Sequence, residues 1–333
     1  MVKKKVKTKR EFIAFFIVSI ILVITILFAI RTGSLKVGII DFFKHVFTGD
    51  NEQVNIIVDL RLPRIIISAV GGGCIAVAGV LFQAVMKNSL ADPGLLGISS
   101  GASLSTLIIM GIFPQLILFS PIFAFIGGIG ACFLVYTLAW RGGLEPYRVV
   151  LVGIAVNAVF LGLIESVQAM MGNSKILDSV LKSSLAFKNW GHVEILVGYC
   201  FVFLIFAILL AARCDLIAME DRTIASLGVN VTLLKVQISV VAVFLAGIST
   251  VILGPISFLG LLAPSISRIA VGTRHIKLIP FSMLTGAALL VIADTIGRTV
   301  AAPNEIGVGI VMAIIGGPCF ILLLKKTGGR YGA

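Results

Sequence analysis

The chain has 333 residues, 59% of them hydrophobic and only 13% charged, with a mean hydropathy of +1.13 and a formal net charge of +12. A water-soluble fold of this length needs a polar exterior that so few charged residues cannot supply, so a soluble globular protein is excluded. The apolar residues come in long runs and lack the alternation of a lipid-facing barrel strand, which leaves helices as the way to satisfy backbone polarity in lipid.

Ten helices are predicted, over residues 12–30, 65–85, 94–111, 117–140, 149–170, 193–212, 236–253, 256–271, 280–297 and 306–324. The fold class is therefore all-α, a polytopic membrane protein of about ten transmembrane helices, with residues 1–333 forming one transmembrane domain. The first run, about 19 residues long, exceeds the usual 7–15 of a signal peptide, and no small-x-small site follows it, so it is expected to be an uncleaved span. Threading the runs with the N-terminus inside makes 1–11, 86–93, 141–148, 213–235, 268–277 and 325–333 the inner segments. These hold 18 of the 27 Lys and Arg but 6 of the 15 Asp and Glu. That asymmetry places both termini in the cytoplasm, with a basic tail over 1–11. The charge thus marks orientation beside anionic membrane lipid, and no nucleic-acid partner is implied.

In chain order, the first long outer segment, 31–64, ends in Arg61 and Arg64 flanking Pro63. The span after it carries Gly71, Gly72, Gly73 and Gly79, and Gly127, Gly128, Gly130, Gly316 and Gly317 follow in later runs. Small residues of this kind let membrane helices approach closely. A short polar loop from Lys87 to Pro93 comes next. Glu165 and Gln168 then stand out, because an ionisable side chain at membrane depth lines a polar cavity or else snorkels to the interface. Residues 171–192 form the second long outer loop. The inner loop 213–235 carries acids and bases together, and Met219 to Leu227 fit a short amphipathic helix stopped by Gly228. Such a loop is longer than a connector needs, so it is expected to be a docking element, with a surface-lying connector as the alternative. Near the ninth run, Asp294 and Arg298 either neutralise each other at i,i+4 or leave Arg298 to join Arg61 and Arg64 in an outward patch. Arginine suits such a patch because its planar fork grips carboxylates.

No catalytic constellation is present. His45, His192 and His275 are far apart and expected in loops, and Cys74, Cys132, Cys200, Cys214 and Cys319 lack metal spacing and are expected as small buried hydrophobes. No Gly-Lys pair occurs, so the phosphate-binding loop is missing and nucleotide hydrolysis would have to come from another chain. No cofactor or metal is expected. A stand-alone secondary carrier would want a chain of buried carboxylates, which is also lacking.

Several segments in order resemble one family: DLRLPR at 59–64, NSLADPGLLGISSGA at 88–102, SLGVNV at 226–231, ISFLGLLAPSISR at 256–268, Ile279-Pro280, AD-x-x-GR at 293–298 and GGP at 316–318. The chain is similar to the FecCD-type permease subunits of ATP-binding-cassette importers for iron-siderophore complexes, haem and vitamin B12. The resemblance implies a dimer with a second permease subunit, cytoplasmic ATP-binding subunits below and an extracytoplasmic substrate-binding protein above, with a ferric siderophore as the expected cargo and haem or vitamin B12 as alternatives. It implies binding-protein docking by Arg61, Arg64 and Arg298, a gate at Asn88 and Leu90, and ATPase coupling by Ala225, Leu227 and Gly228. Glu165 and Gln168 are candidates for the path on the residue argument above. The sequence departs from the family pattern at Ser89, at Pro264-Ser265-Ile266 and at Glu305-Ile306-Gly307.

Overall fold

The computed structural model describes residues 2–32, 38, 42, 44–45, 50–94, 96–140, 146–171, 185–186, 188–302 and 304–327. All ten predicted runs are helical, and no strand occurs among the described residues. The helices are α1 (Val2–Arg31), α2 (Glu52–Val85), α3 (Ile98–Ile112), α4 (Ser120–Ala139), α5 (Pro146–Met171), α6 (Trp190–Leu209), α7 (Ala211–Ile217), α8 (Asp221–Ser226), α9 (Val231–Leu253), α10 (Leu259–Val271), α11 (His275–Val300) and α12 (Val308–Thr327), with a 3-10 turn over Pro114–Phe119. Among the described residues seven are long and apolar enough to cross a bilayer, α3 and α10 are shorter apolar helices, and α12 is apolar over Val308–Leu322. Most of the expected outer loop 171–192 and of the expected inner segments 141–148 and 325–333 lies outside the described residues.

The shorter helices have local causes. At 1.5 Å per residue the 15 residues of α3 reach about 22 Å, short of the ~30 Å hydrocarbon core. The chain before α3 is sunk into the protein, with Ala91, Asp92 and Leu96 buried. Asp92 Oδ1 accepts from Gly94 N at 2.7 Å and the Asp92 carbonyl from Leu96 N at 3.0 Å. Irregular backbone at membrane depth survives only where protein encloses it in this way. The division within 236–271 falls at Gly254, which closes α9 at φ +79. Phe258, at φ +66, starts α10.

Two expected loops are partly helical. Residues 52–64 form the opening turns of α2, started by the Asn51 side chain, which accepts from Gln53 N (3.0 Å) and Val54 N (3.4 Å). The basic tail likewise continues α1 from Val2. His192 and His275 also lie in first helical turns rather than in loops. Of the five free cysteines, Cys74, Cys200 and Cys214 are buried, Cys132 is half-buried, and Cys319 is exposed at an apolar cavity between α10, α11 and α12.

The middle of the fold is α2 and α9, buried over 83% and 78% of their most apolar stretches, against 17–28% for α1, α4, α5 and α6. Glycines set the closest approaches. A Cβ on Gly72 would stand 2.6 Å from the Gly286 carbonyl oxygen of α11, and one on Gly79 2.2 Å from that of Gly260 in α10. With backbones this close, dispersion contacts along the helices hold the bundle where lipid supplies no hydrophobic drive between spans. The Phe203 and Phe244 rings stack at 3.6 Å between α6 and α9. Buried hydroxyls return to their own helices, as Ser249 Oγ does to the Leu245 carbonyl at 2.7 Å. Bulky apolar side chains such as Phe12, Phe16, Phe133, Phe201 and Met170 stay exposed on the peripheral helices, as a surface facing lipid or a neighbouring subunit requires.

Candidate functional site

The polar residues that matter gather at the two ends of the helices. At the end expected to face outwards, α1 stops at Arg31, and the last carbonyls of a helix have no partners within it. Two of the three singled-out arginines meet that need. Arg61 donates from NH1 to the Ile30 carbonyl at 3.0 Å, and Arg298 donates to the carbonyls of Thr32 (3.1 Å) and Ala29. Cations here also suit the negative end of the helix dipole.

The third, Arg64, is 7% exposed and committed to two carboxylates. Its Nε and NH2 donate to Asp294 Oδ1 at 2.9 Å, and its NH1 donates to both oxygens of Glu305 at 2.9 Å. Asp294 is 3% exposed, whereas the Glu305 side chain is 35% exposed. The expected alternatives for Asp294 are thereby replaced: its hydrogen-bonded partner is Arg64 on α2 and not Arg298 one turn away, because the Arg298 guanidinium turns to α1. The three arginines do converge, but as a clamp joining α1, α2, α11 and the segment before α12. Arg61 and Arg298 remain half-buried, with part of each side chain at the surface. Glu305 was present in the sequence only as a motif departure, and its role depends on a contact 241 residues away.

At the opposite end, α2 finishes in a Schellman motif: Asn88 N donates to the Gln83 carbonyl and Lys87 N to the Ala84 carbonyl, each at 3.2 Å. The motif needs a left-handed residue at Lys87 (φ +48), a place that glycine normally fills, and a side chain there costs about 1–2 kcal/mol. The Lys87 ammonium reaches out of this turn to the Met219 carbonyl and to Asp221 Oδ1 at 2.9 Å. Lys235 binds the other oxygen of Asp221 at 2.8 Å. Hydrogen bonds from Lys235 and then Lys87 hold the Asp221 carboxyl below the usual carboxylate range. Beyond the turn, Asn88 Oδ1 accepts from Leu90 N at 2.9 Å, and Leu90 is 38% exposed.

The expected amphipathic helix is α8, shorter than predicted at Asp221–Ser226 and anchored by fully buried Ile224. Gly228 follows at φ +77 with open space around it. Ala225, Leu227 and Gly228 are all exposed, Leu227 at 60%. A cavity of about 370 Å³ between α10, α11 and α12 is lined by Leu262, Ile266, Met312 and Ile315 among others, all apolar. Two further ties close this end: Asp215 Oδ1 accepts from His275 N at 3.0 Å, and Glu11 pairs with Lys277. Glu165 is exposed and Gln168 half-buried on α5, which packs mainly on α3 and α4. They lie on a face of α5 that the described residues leave partly uncovered. Among the described residues no group of three His, Cys, Asp or Glu could hold a metal.

The family model described as the FecCD transport family matches residues 21–326. In Staphylococcus aureus strain Newman, a protein named probable heme-iron transport system permease protein IsdF is 34% identical over 322 residues, 97% of this chain and 98% of its own. Its counterpart in strain MSSA476 is 33% identical with the same coverage. A solved structure described as a metal-chelate type ABC transporter in an inward-facing conformation superposes with a TM-score of 0.79 at 24% identity, covering 95% of this chain and 99% of that one. PsaBC from Streptococcus pneumoniae, in complex with Fab, gives a TM-score of 0.58 at 16% identity, covering 86% and 95%. At these identities the two structures speak for the fold.

Proposed function

The chain belongs to the FecCD transport family and is a multi-pass protein of the cell membrane, and from that premise we propose that it is the permease subunit of a binding-protein-dependent ABC importer of iron chelates, with haem the favoured cargo. The names of its relatives favour haem over the ferric siderophore that the motifs alone suggested. Two such subunits enclose a path, and both termini face the cytoplasm. ATP-binding subunits drive the cycle from below, and the chain itself makes and breaks no covalent bond.

The observation that carries this reading is α8 with its glycine stop: a short helix at the expected inner end, held by one buried residue, presenting Ala225, Leu227 and Gly228 outwards. A groove on an ATPase would receive it, and Asn88 and Leu90 sit at the neighbouring inner mouth. A substrate-binding protein would approach the surface parts of Arg61 and Arg298, with Arg64 holding the ground beneath them. Glu165 and Gln168 would face the path or the second subunit, since the described residues leave Glu165 exposed.

The test is reconstitution with the ATP-binding and substrate-binding partners. Haem should accumulate inside vesicles only with ATP and both partners present. Uptake by the permease alone would refute the importer reading, and accumulation of a ferric siderophore or vitamin B12 with haem excluded would overturn the cargo. Charged bulk in place of Ala225 and Gly228 should release the ATPase on co-purification, and Arg61→Glu with Arg298→Glu should abolish delivery while the ATPase stays bound.

A further inference from the structure

We propose that Lys87 is a positioning residue that fastens the inner-mouth loop to α8, so that displacement of α8 is passed to Asn88 and Leu90 through a side chain and not through the intervening helices. The proposal rests on the reading of α8 as the coupling element. It starts from an anomaly of local chemistry. The end of α2 is a well-formed Schellman motif, for which glycine is the unstrained choice, and here a lysine occupies the left-handed position. A strained backbone maintained by its surroundings points to a use for the side chain that strains it.

The geometry supplies that use. The Lys87 ammonium is the direct link between this loop and the α8 segment, meeting the Met219 carbonyl just before α8 and the Asp221 carboxylate in its first turn. Asp221 is bound from the other side by Lys235, near the start of α9, so the carboxylate is a shared post between two cations. Distal to Lys87 the loop is short and internally bonded: Asn88 Oδ1 accepts from Leu90 N, and the Asn88 carbonyl accepts from Ala91 N at 3.2 Å. A pull on Lys87 therefore moves Asn88 and Leu90 as one turn. Charge-assisted hydrogen bonds of this kind are short and directional enough to transmit it.

Lys87→Gly is the decisive variant, because it keeps the turn, removes its strain and removes only the tether. In the reconstituted complex, using whichever of haem and ferric siderophore is accumulated, cargo moved per ATP hydrolysed should fall about tenfold, equivalent to about 1.4 kcal/mol of lost coupling. The ATPase should co-purify undiminished, and the melting point should equal or exceed that of the unaltered protein. Lys87→Arg should restore transport to within about threefold, since its fork reaches the same acceptors. An unchanged ratio in Lys87→Gly, loss of the ATPase, or failure of Lys87→Arg to rescue would each overturn the proposal. A measurement without cargo separates it from the coupling reading: spin labels at Ser89 and Ser226 in the isolated permease in nanodiscs should give a narrow distance distribution that broadens in Lys87→Gly. An equally narrow distribution would sink the tether even if α8 does bind the ATPase.

Discussion

Replacing Arg64 by methionine keeps most of the side chain's length and removes both of its ion pairs. Asp294, 3% exposed, is then left without its bidentate partner, while Glu305, whose side chain is 35% exposed, can turn to water. Breaking a buried pair from one side costs about 3–5 kcal/mol, because the surviving charge is uncompensated. An independent bound agrees: the stranded carboxylate can escape by taking up a proton, and protonating an ordinary aspartate at pH 7 costs about 4 kcal/mol. Glu305→Gln should cost only about 1 kcal/mol, since its side chain is partly in solvent and Arg64 keeps Asp294 as a partner. Adding Asp294→Asn to Arg64→Met should return most of the loss, because it removes the charge that made the single change expensive. Thermal unfolding of the purified protein in detergent, read for all three variants, gives the order. Arg64→Met as mild as Glu305→Gln, or a double variant no better than Arg64→Met, would refute the account of Arg64 as a structural clamp.

Three further outcomes follow from the same geometry. Asp221 is held below the ordinary carboxylate range by Lys235 and Lys87, so its contribution is fully present above that range and is lost as pH falls through the lowered value. The distance between labels at Ser89 and Ser226 should accordingly stay narrow near neutrality and broaden only under acid, and broadening between pH 6 and 8 would contradict the assignment. Lys188, in the segment before α6, is 7% exposed, and burial pushes its ammonium down to about 8. The unfolded chain then binds more protons from about 8 to about 10.4, so stability rises with pH across that window. Lys188→Met should raise the melting point at pH 7 and show no such rise from pH 8 to 10. Gly79→Ala should destabilise by about 1–3 kcal/mol, because its Cβ would meet a backbone oxygen that cannot move aside, whereas Gly130→Ala, with open space around it, should be neutral or stabilising by about 0.5–1 kcal/mol; equal effects at the two positions would count against glycine as the spacer between α2 and α10.

The spans were legible because lipid imposes a constraint that composition exposes: a run without charges and long enough to cross has few other fates. Polar helix is invisible to that criterion. The opening of α2 carries Glu52, Asp59 and Arg61, so hydropathy alone ends the span at residue 65, although Asn51 with Glu52 after it forms a local start signal. Gly228 was legible for a different reason, since a helix stop of this kind needs a left-handed residue and glycine supplies it at no cost. Lys87 performs the same backbone task at the end of α2, and there the letter conceals the conformation.

Partnerships were the least legible layer. The i,i+4 spacing offers Asp294 to Arg298, yet Asp294 pairs with a residue 230 positions away. The reason is a competition that only the assembled bundle reveals. The C-terminus of α1 has orphan carbonyls near the membrane boundary, where unpaired polar groups are expensive. Arg298 and Arg61 are close enough to satisfy them, and Arg64 then falls to Asp294 and Glu305. Five acceptor groups and three guanidiniums thus share one solution, in which moving any arginine to its nearest sequence neighbour would strand a carbonyl or a carboxylate elsewhere. Local pairing rules fail here because the carbonyls of α1 and the carboxylates beside Arg64 draw on the same few donors, and no window of the sequence contains them all.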